Sequence, residues 1–170
     1  YLVPYVYKLL FRVNTGQAAA LTVLLCHLLG LSGFYYFFKK VGFTPFIAAL
    51  SMLFIACQQI FVVPYVFYSG GEILSFAFAG WFLYGCVVFK KPSPLIVLFI
   101  LFSGLLGFFC KSSTMWIYAA GLLFMWFRLS FQNKSLTHWI KSGLWIAIPA
   151  IIAIGTIYVS FLSKGTNPAT

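Results

Sequence analysis

The chain alternates between long stretches without charge and short breaks that hold nearly all of its polarity. Six runs contain no Asp, Glu, Lys or Arg, at 18–38, 43–63, 73–89, 94–110, 114–127 and 143–162. Apolar residues fall on every face of these runs. A membrane β-strand would instead alternate apolar and polar residues over about ten positions, so the pattern predicts helices. Crossing a bilayer core takes about 20 residues as helix, a length that the first, second and sixth runs meet. The third, fourth and fifth are shorter. They cross with little tilt or by local thinning, or the fourth and fifth form a hairpin that dips in and returns. The expectation is an all-α polytopic transmembrane helix bundle of about six membrane helices.

Composition strengthens that reading. Hydrophobic residues make up 63% and charged residues 7%, against about 25% charge in ordinary soluble domains. The formal charge of +10 does not point to nucleic acid, because the cations stand in ones and twos between apolar runs. They report orientation instead. Lys39, Lys40, Lys90, Lys91, Arg128, Lys134 and Lys141 fall in one set of alternate breaks, and Lys8, Arg12, Lys111 and Lys164 in the other. Lys and Arg near helix ends favour the cytoplasmic side, so the larger set is expected inside. Residues 1–16, with Tyr1, Tyr5, Tyr7, Lys8 and Arg12, read as an outer-loop or interfacial segment; 128–142 reads as a cytoplasmic linker. Both ends of the sequence look like interior loops, so the chain is expected to be one transmembrane module of a larger protein.

Candidate chemistry is sparse. Phosphate-binding glycine loops, dinucleotide fingerprints and paired carboxylates are absent from the sequence. Cys26, Cys57, Cys86 and Cys110 stand singly in apolar runs, the placement of packing residues. His27 lies mid-run, where an ionisable group is a functional candidate, although a His bonded to a neighbouring helix is commoner. Pro149 predicts a kink in the last run.

Glu72 is the only acidic residue, and it follows Tyr68-Ser69-Gly70-Gly71 at the start of an apolar run. Two readings stand. Helix dipoles favour a carboxylate at this position for stability alone; alternatively it belongs to a site. Small residues at Gly71, Ser75 and Ala79 form a stripe for close helix packing, and Glu72 beside it is expected to face the bundle. On the outer side Glu72 would be joined by Tyr65, Tyr68, Lys111, Ser112 and Trp116. A carboxylate can hold a metal or a sugar hydroxyl, a lysine can hold a phosphate as a point charge, and aromatic rings can cover a sugar or a prenyl chain.

The order of parts resembles the polytopic glycosyltransferases of the GT-C superfamily, in particular the protein mannosyltransferase and lipid A aminoarabinose transferase branch. The matching stretches are Pro64-Tyr65-Val66-Phe67-Tyr68-Ser69-Gly70-Gly71-Glu72, leading into a helix, and Gly104-Leu105-Leu106-Gly107-Phe108-Phe109-Cys110-Lys111-Ser112. The resemblance implies sugar transfer from a polyprenyl-phosphate donor at the extracytoplasmic face of a bacterial inner membrane. It places the main catalytic acid before Tyr1, in a first span and outer loop that this chain lacks. Glu72 then takes an accessory role, with a divalent metal as one option, and Lys111 the carrier phosphate. The alternatives are a polysaccharide polymerase or ligase, which uses the same carriers, and a transporter module.

Overall fold

The computed structural model describes residues 14–58, 71–111, 114–132 and 135–162. Among them are six α-helices: α1 (Thr15–Val41), α2 (Pro45–Ala56), α3 (Gly71–Val88), α4 (Pro94–Cys110), α5 (Met115–Ser130) and α6 (Leu136–Leu162). The all-helical expectation stands, but that of about six membrane helices is corrected. Among the described residues only Gly16–Val41 and Leu136–Ser160 are long and apolar enough to cross a membrane. The largest shortfall is α2. Expected over 43–63, it has 12 residues, about 18 Å at 1.5 Å per residue, against a core of about 30 Å. The helix stops at Ala56, with Cys57 as its C-cap; positions 59–63 of the expected run lie outside the described residues. α4 and α5, with 17 and 16 residues, are closed by Lys111 and by the turn after Arg128.

The two long helices are not the shielded centre of a soluble domain. Their most apolar windows are only 39% and 28% buried. α1 exposes Leu21, Leu24, Leu25, Leu28 and Leu29, and α6 exposes Ile148, Ile151, Ile152, Ile154 and Val159. Apolar surface on that scale marks contact with lipid or protein, so the chain is a membrane-associated helical protein.

The fold divides into two compact units, Tyr1–Tyr84 and Gly85–Thr170. In the first, α1 opens on a capping box. The Asn14 side chain accepts from the Gln17 amide at 2.8 Å, and the Asn14 amide donates back to the Gln17 side chain at 3.2 Å, which satisfies two donors that a helix start leaves open. α1 closes at Gly42, whose φ of 116° is left-handed and suits glycine. Lys39 and Lys40 in the last turn complement the dipole. Thr44 then caps α2, with Pro45 at its first position, where the missing amide costs little.

α1 meets α3 at three glycines. A Cβ on Gly80 would stand 2.6 Å from the Gly30 carbonyl oxygen and 2.8 Å from the Phe34 amide nitrogen. One on Gly33 would stand 2.6 Å from the Trp81 amide nitrogen. The backbones touch because side chains are missing there. Rings pack around the crossing: Phe34 on Phe76 at 5.3 Å and Tyr36 on Trp81 at 5.8 Å. Of the expected stripe, Ala79 is buried, but the closest approach is made by Gly80.

In the second unit α4 packs against both α5 and α6. The three come close at Gly104, where a Cβ would meet the Tyr118 hydroxyl at 2.9 Å and the Ala153 Cβ at 3.0 Å. The Tyr118 hydroxyl donates to the Ile100 carbonyl at 2.8 Å, so its buried polar end is satisfied. α6 continues through Pro149 to Leu162. It begins at Leu136, and α5 ends at Ser130, so the stretch expected as a linker over 128–142 is mostly helix.

Candidate functional site

Glu72 sits in the first turn of α3, where the helix dipole favours a negative charge. Its side chain is exposed, contrary to the expectation that it faces the bundle. Lys111 caps the C-terminus of α4 in extended conformation, its amide donating to the Gly107 carbonyl at 3.3 Å. The Thr114 amide donates to the Lys111 carbonyl at 2.9 Å, and this turn leads directly into α5. Trp116 follows on the first turn of α5, 82% exposed. One turn of the second unit therefore carries Lys111 and Trp116, while Glu72 belongs to the first unit. Tyr65, Tyr68 and Ser112 lie outside the described residues.

The donors among the described residues do not build a metal centre. Among the described residues no three or more His, Cys, Asp or Glu side chains come together to hold an ion, and a divalent metal takes several such ligands. Glu72 alone does not make that set. His27 is buried in α1 with its ring edge-on to Phe76 at 6.1 Å. Cys26 and Cys86 are also buried.

Two features escaped the sequence reading. The first is an apolar groove of about 480 Å³ between α5 and α6, lined among others by Met115, Tyr118, Leu122, Trp126, Ile146 and Ile154. The two polar side-chain atoms of that wall are already engaged. The Tyr118 hydroxyl is bonded to Ile100, and the Trp126 indole nitrogen donates to the Trp139 carbonyl at 3.2 Å. The groove therefore offers hydrocarbon surface alone. Gly143, Ala147 and Ala150 on its α6 wall follow helical spacing, a signal of open space that becomes readable once the facing helix is known.

The second feature is the corner joining α5 to α6. Ser130 and Ser142 share a buried hydrogen bond of 2.9 Å between their hydroxyls, and Ser142 also donates to the Trp139 carbonyl at 3.0 Å. His138 Nε2 lies 3.0 Å from the Leu129 carbonyl. Arg128 donates to the Cys86 carbonyl at 3.3 Å and to that of Val87. α3 has no basic residue in its own last turn, and Arg128 supplies the cation that its C-terminus favours.

This is an all-α, membrane-associated protein with an apolar groove on its second unit. Comparison with protein-family models, with curated proteins and with solved structures gives no match.

Proposed function

We propose that the chain works in a multi-pass membrane glycosyltransferase of the bacterial inner membrane, α1 and α6 crossing the bilayer, and that it holds a polyprenyl-phosphate sugar donor. The groove between α5 and α6 carries this reading. It extends from Met115 to Trp126 along α5, eleven steps or roughly 16 Å of helix, and is apolar throughout. Its Met115 end adjoins the turn that bears Lys111 and Trp116. An isoprenoid gains by leaving contact with water or headgroups for such a wall, and a lysine at the end of the groove suits the phosphate. In the reaction a carboxylate acting as general base takes the acceptor hydroxyl proton, the acceptor oxygen bonds to the anomeric carbon, and the bond from that carbon to the carrier phosphate breaks. The phosphate departs with the electron pair. Glu72, the chain's single acid, is assigned an accessory part toward acceptor or carrier.

The test uses a photoreactive polyprenyl phosphate added to membranes that contain the protein. Crosslinks should map to α5 and α6 facing the groove, and Leu122→Trp, which fills it, should abolish them. Lys111→Gln should weaken labelling without moving it. Labelling that ignores Leu122→Trp, or that maps elsewhere, overturns the proposal.

A further inference from the structure

The opposite end of the second unit has a different chemistry that the proposed donor site does not use. Hydrogen bonds gather four cations there. Arg128, on the last turn of α5, reaches the Cys86 and Val87 carbonyls at the end of α3, three residues before the Lys90-Lys91 pair begins. Two residues beyond Arg128, Ser130 is bonded to Ser142, the neighbour of Lys141. Phe89 and Phe99 pack with their rings tilted, centroids 5.3 Å apart, which holds the lysine turn against the start of α4. Lys90, Lys91 and Lys141 are exposed and Arg128 is half-buried. Glu72 is the chain's only acid and lies in the other unit, so no Asp or Glu of this unit balances the four charges.

Aromatic rings share the same end. Trp139 stands edge-on to Trp126 at 5.9 Å, to Phe127 at 6.2 Å and to Phe131 at 5.4 Å. Phe131 is 73% exposed, and Leu136, which begins a helix able to cross the membrane, is exposed as well. Amphipathic rings and cations side by side at the start of a span are placed at headgroup depth. A surface with that depth and uncompensated positive charge fits a negatively charged headgroup.

We infer that the end of the bundle formed by Lys90, Lys91, Arg128 and Lys141, with the ring cluster around Trp139, binds the phosphates of anionic phospholipids. The cations hold the charge and the rings hold the depth. A zwitterionic lipid carries the same phosphate with its own cation attached, so it gains less. The inference is independent of the proposed donor site, which uses the Lys111 end.

The test measures lipids retained by the whole chain in neutral detergent, by native mass spectrometry during titration with phosphatidylglycerol or phosphatidylcholine. Phosphatidylglycerol should bind more tightly. Each basic residue near a membrane surface contributes about a fivefold factor, so Lys90→Gln, Lys91→Gln and Lys141→Gln combined should lower its affinity on the order of a hundredfold, leaving phosphatidylcholine little changed. The unaltered chain gives a second measurement. Raising salt from about 0.1 M to 1 M shortens the screening length from about 10 Å to 3 Å and should erase most of the preference. Equal retention of both lipids, a preference that survives the triple substitution or high salt, or displacement of phosphatidylglycerol by inorganic phosphate at matched ionic strength would each overturn the inference.

Discussion

Replacing Gly80 with Ala adds one methyl group where two helix backbones touch, and its cost can be worked from the surrounding atoms. The new Cβ would stand 2.6 Å from the Gly30 carbonyl oxygen, 2.8 Å from the Phe34 nitrogen and 3.1 Å from the Gly33 carbonyl carbon. All three are backbone atoms, so no side-chain rotation relieves the contact. α1 and α3 must move apart, and Phe34–Phe76 and Tyr36–Trp81 loosen with them. Overpacking of this kind costs about 1–3 kcal/mol. With only backbone able to yield, the cost falls in the upper part of that range, about 2–3 kcal/mol; Ala in place of Gly returns about 1 kcal/mol of helix propensity, so the net loss is about 1–2 kcal/mol, up to thirtyfold in the folding equilibrium.

Gly155→Ala is the matched control. It lies on α6 with no atom within 4 Å of a Cβ, so the propensity gain stands alone and stability should rise by up to about 1 kcal/mol. Both variants can be followed by tryptophan fluorescence as a denaturing detergent replaces a mild one. The reasoning is refuted if the two substitutions shift the midpoint in the same direction, or if Gly80→Ala leaves it unchanged.

Tyr118→Phe keeps the ring that fills the α4–α5 contact and removes only the bond to Ile100; the expected loss is about 1 kcal/mol in the same titration. Arg128→Gln takes a charged donor from the Cys86 and Val87 carbonyls and should cost about 1.5–3 kcal/mol. Hydrogen exchange should place the loosening at the end of α3 and the corner between α5 and α6. Uniform exchange along the chain would count against a local cap.

Caps and stops explain which elements could be read from the sequence. α4 matches its expected limits, 94–110, because a proline opens it and a lysine follows its last residue. α1 extends past its apolar run at both ends. Asn14 and Gln17 have capping-box spacing, a signal that the apolar pattern alone does not use, and the two lysines continue the helix until Gly42 can turn it. α6 begins seven residues before its uncharged run, since a helix needs no apolar residue on its polar face. α2 erred in the other direction: hydrophobicity continued beyond Ala56 while the helix ended. The glycines were visible as glycines, but nothing in sequence paired Gly80 with Gly30 and Gly33. The groove was hidden for the same reason, being made by two helices at once. Lys111 was read as following the end of the fourth run and does close α4, whereas the part of Arg128 as a cap required seeing α3 end beside it.

The two-span correction changes what can be asked about sidedness. In the second unit α4 runs away from Ser93 and α5 returns, as the Tyr118 bond to Ile100 and the Arg128 bonds to the end of α3 require. The hairpin therefore brings the turn at Ser93 and the corner at Ser135 to one end of the second unit, and with it the expectation that both face one side of the membrane. Cysteines placed at Ser93 and at Ser135 should react with an impermeant reagent from the same side of sealed vesicles. Cys57 is exposed and Cys110 half-buried, so the background replaces both with Ser. Reaction from opposite sides would mean that α4 and α5 do not form a returning hairpin, and the four cations could not then share one headgroup layer.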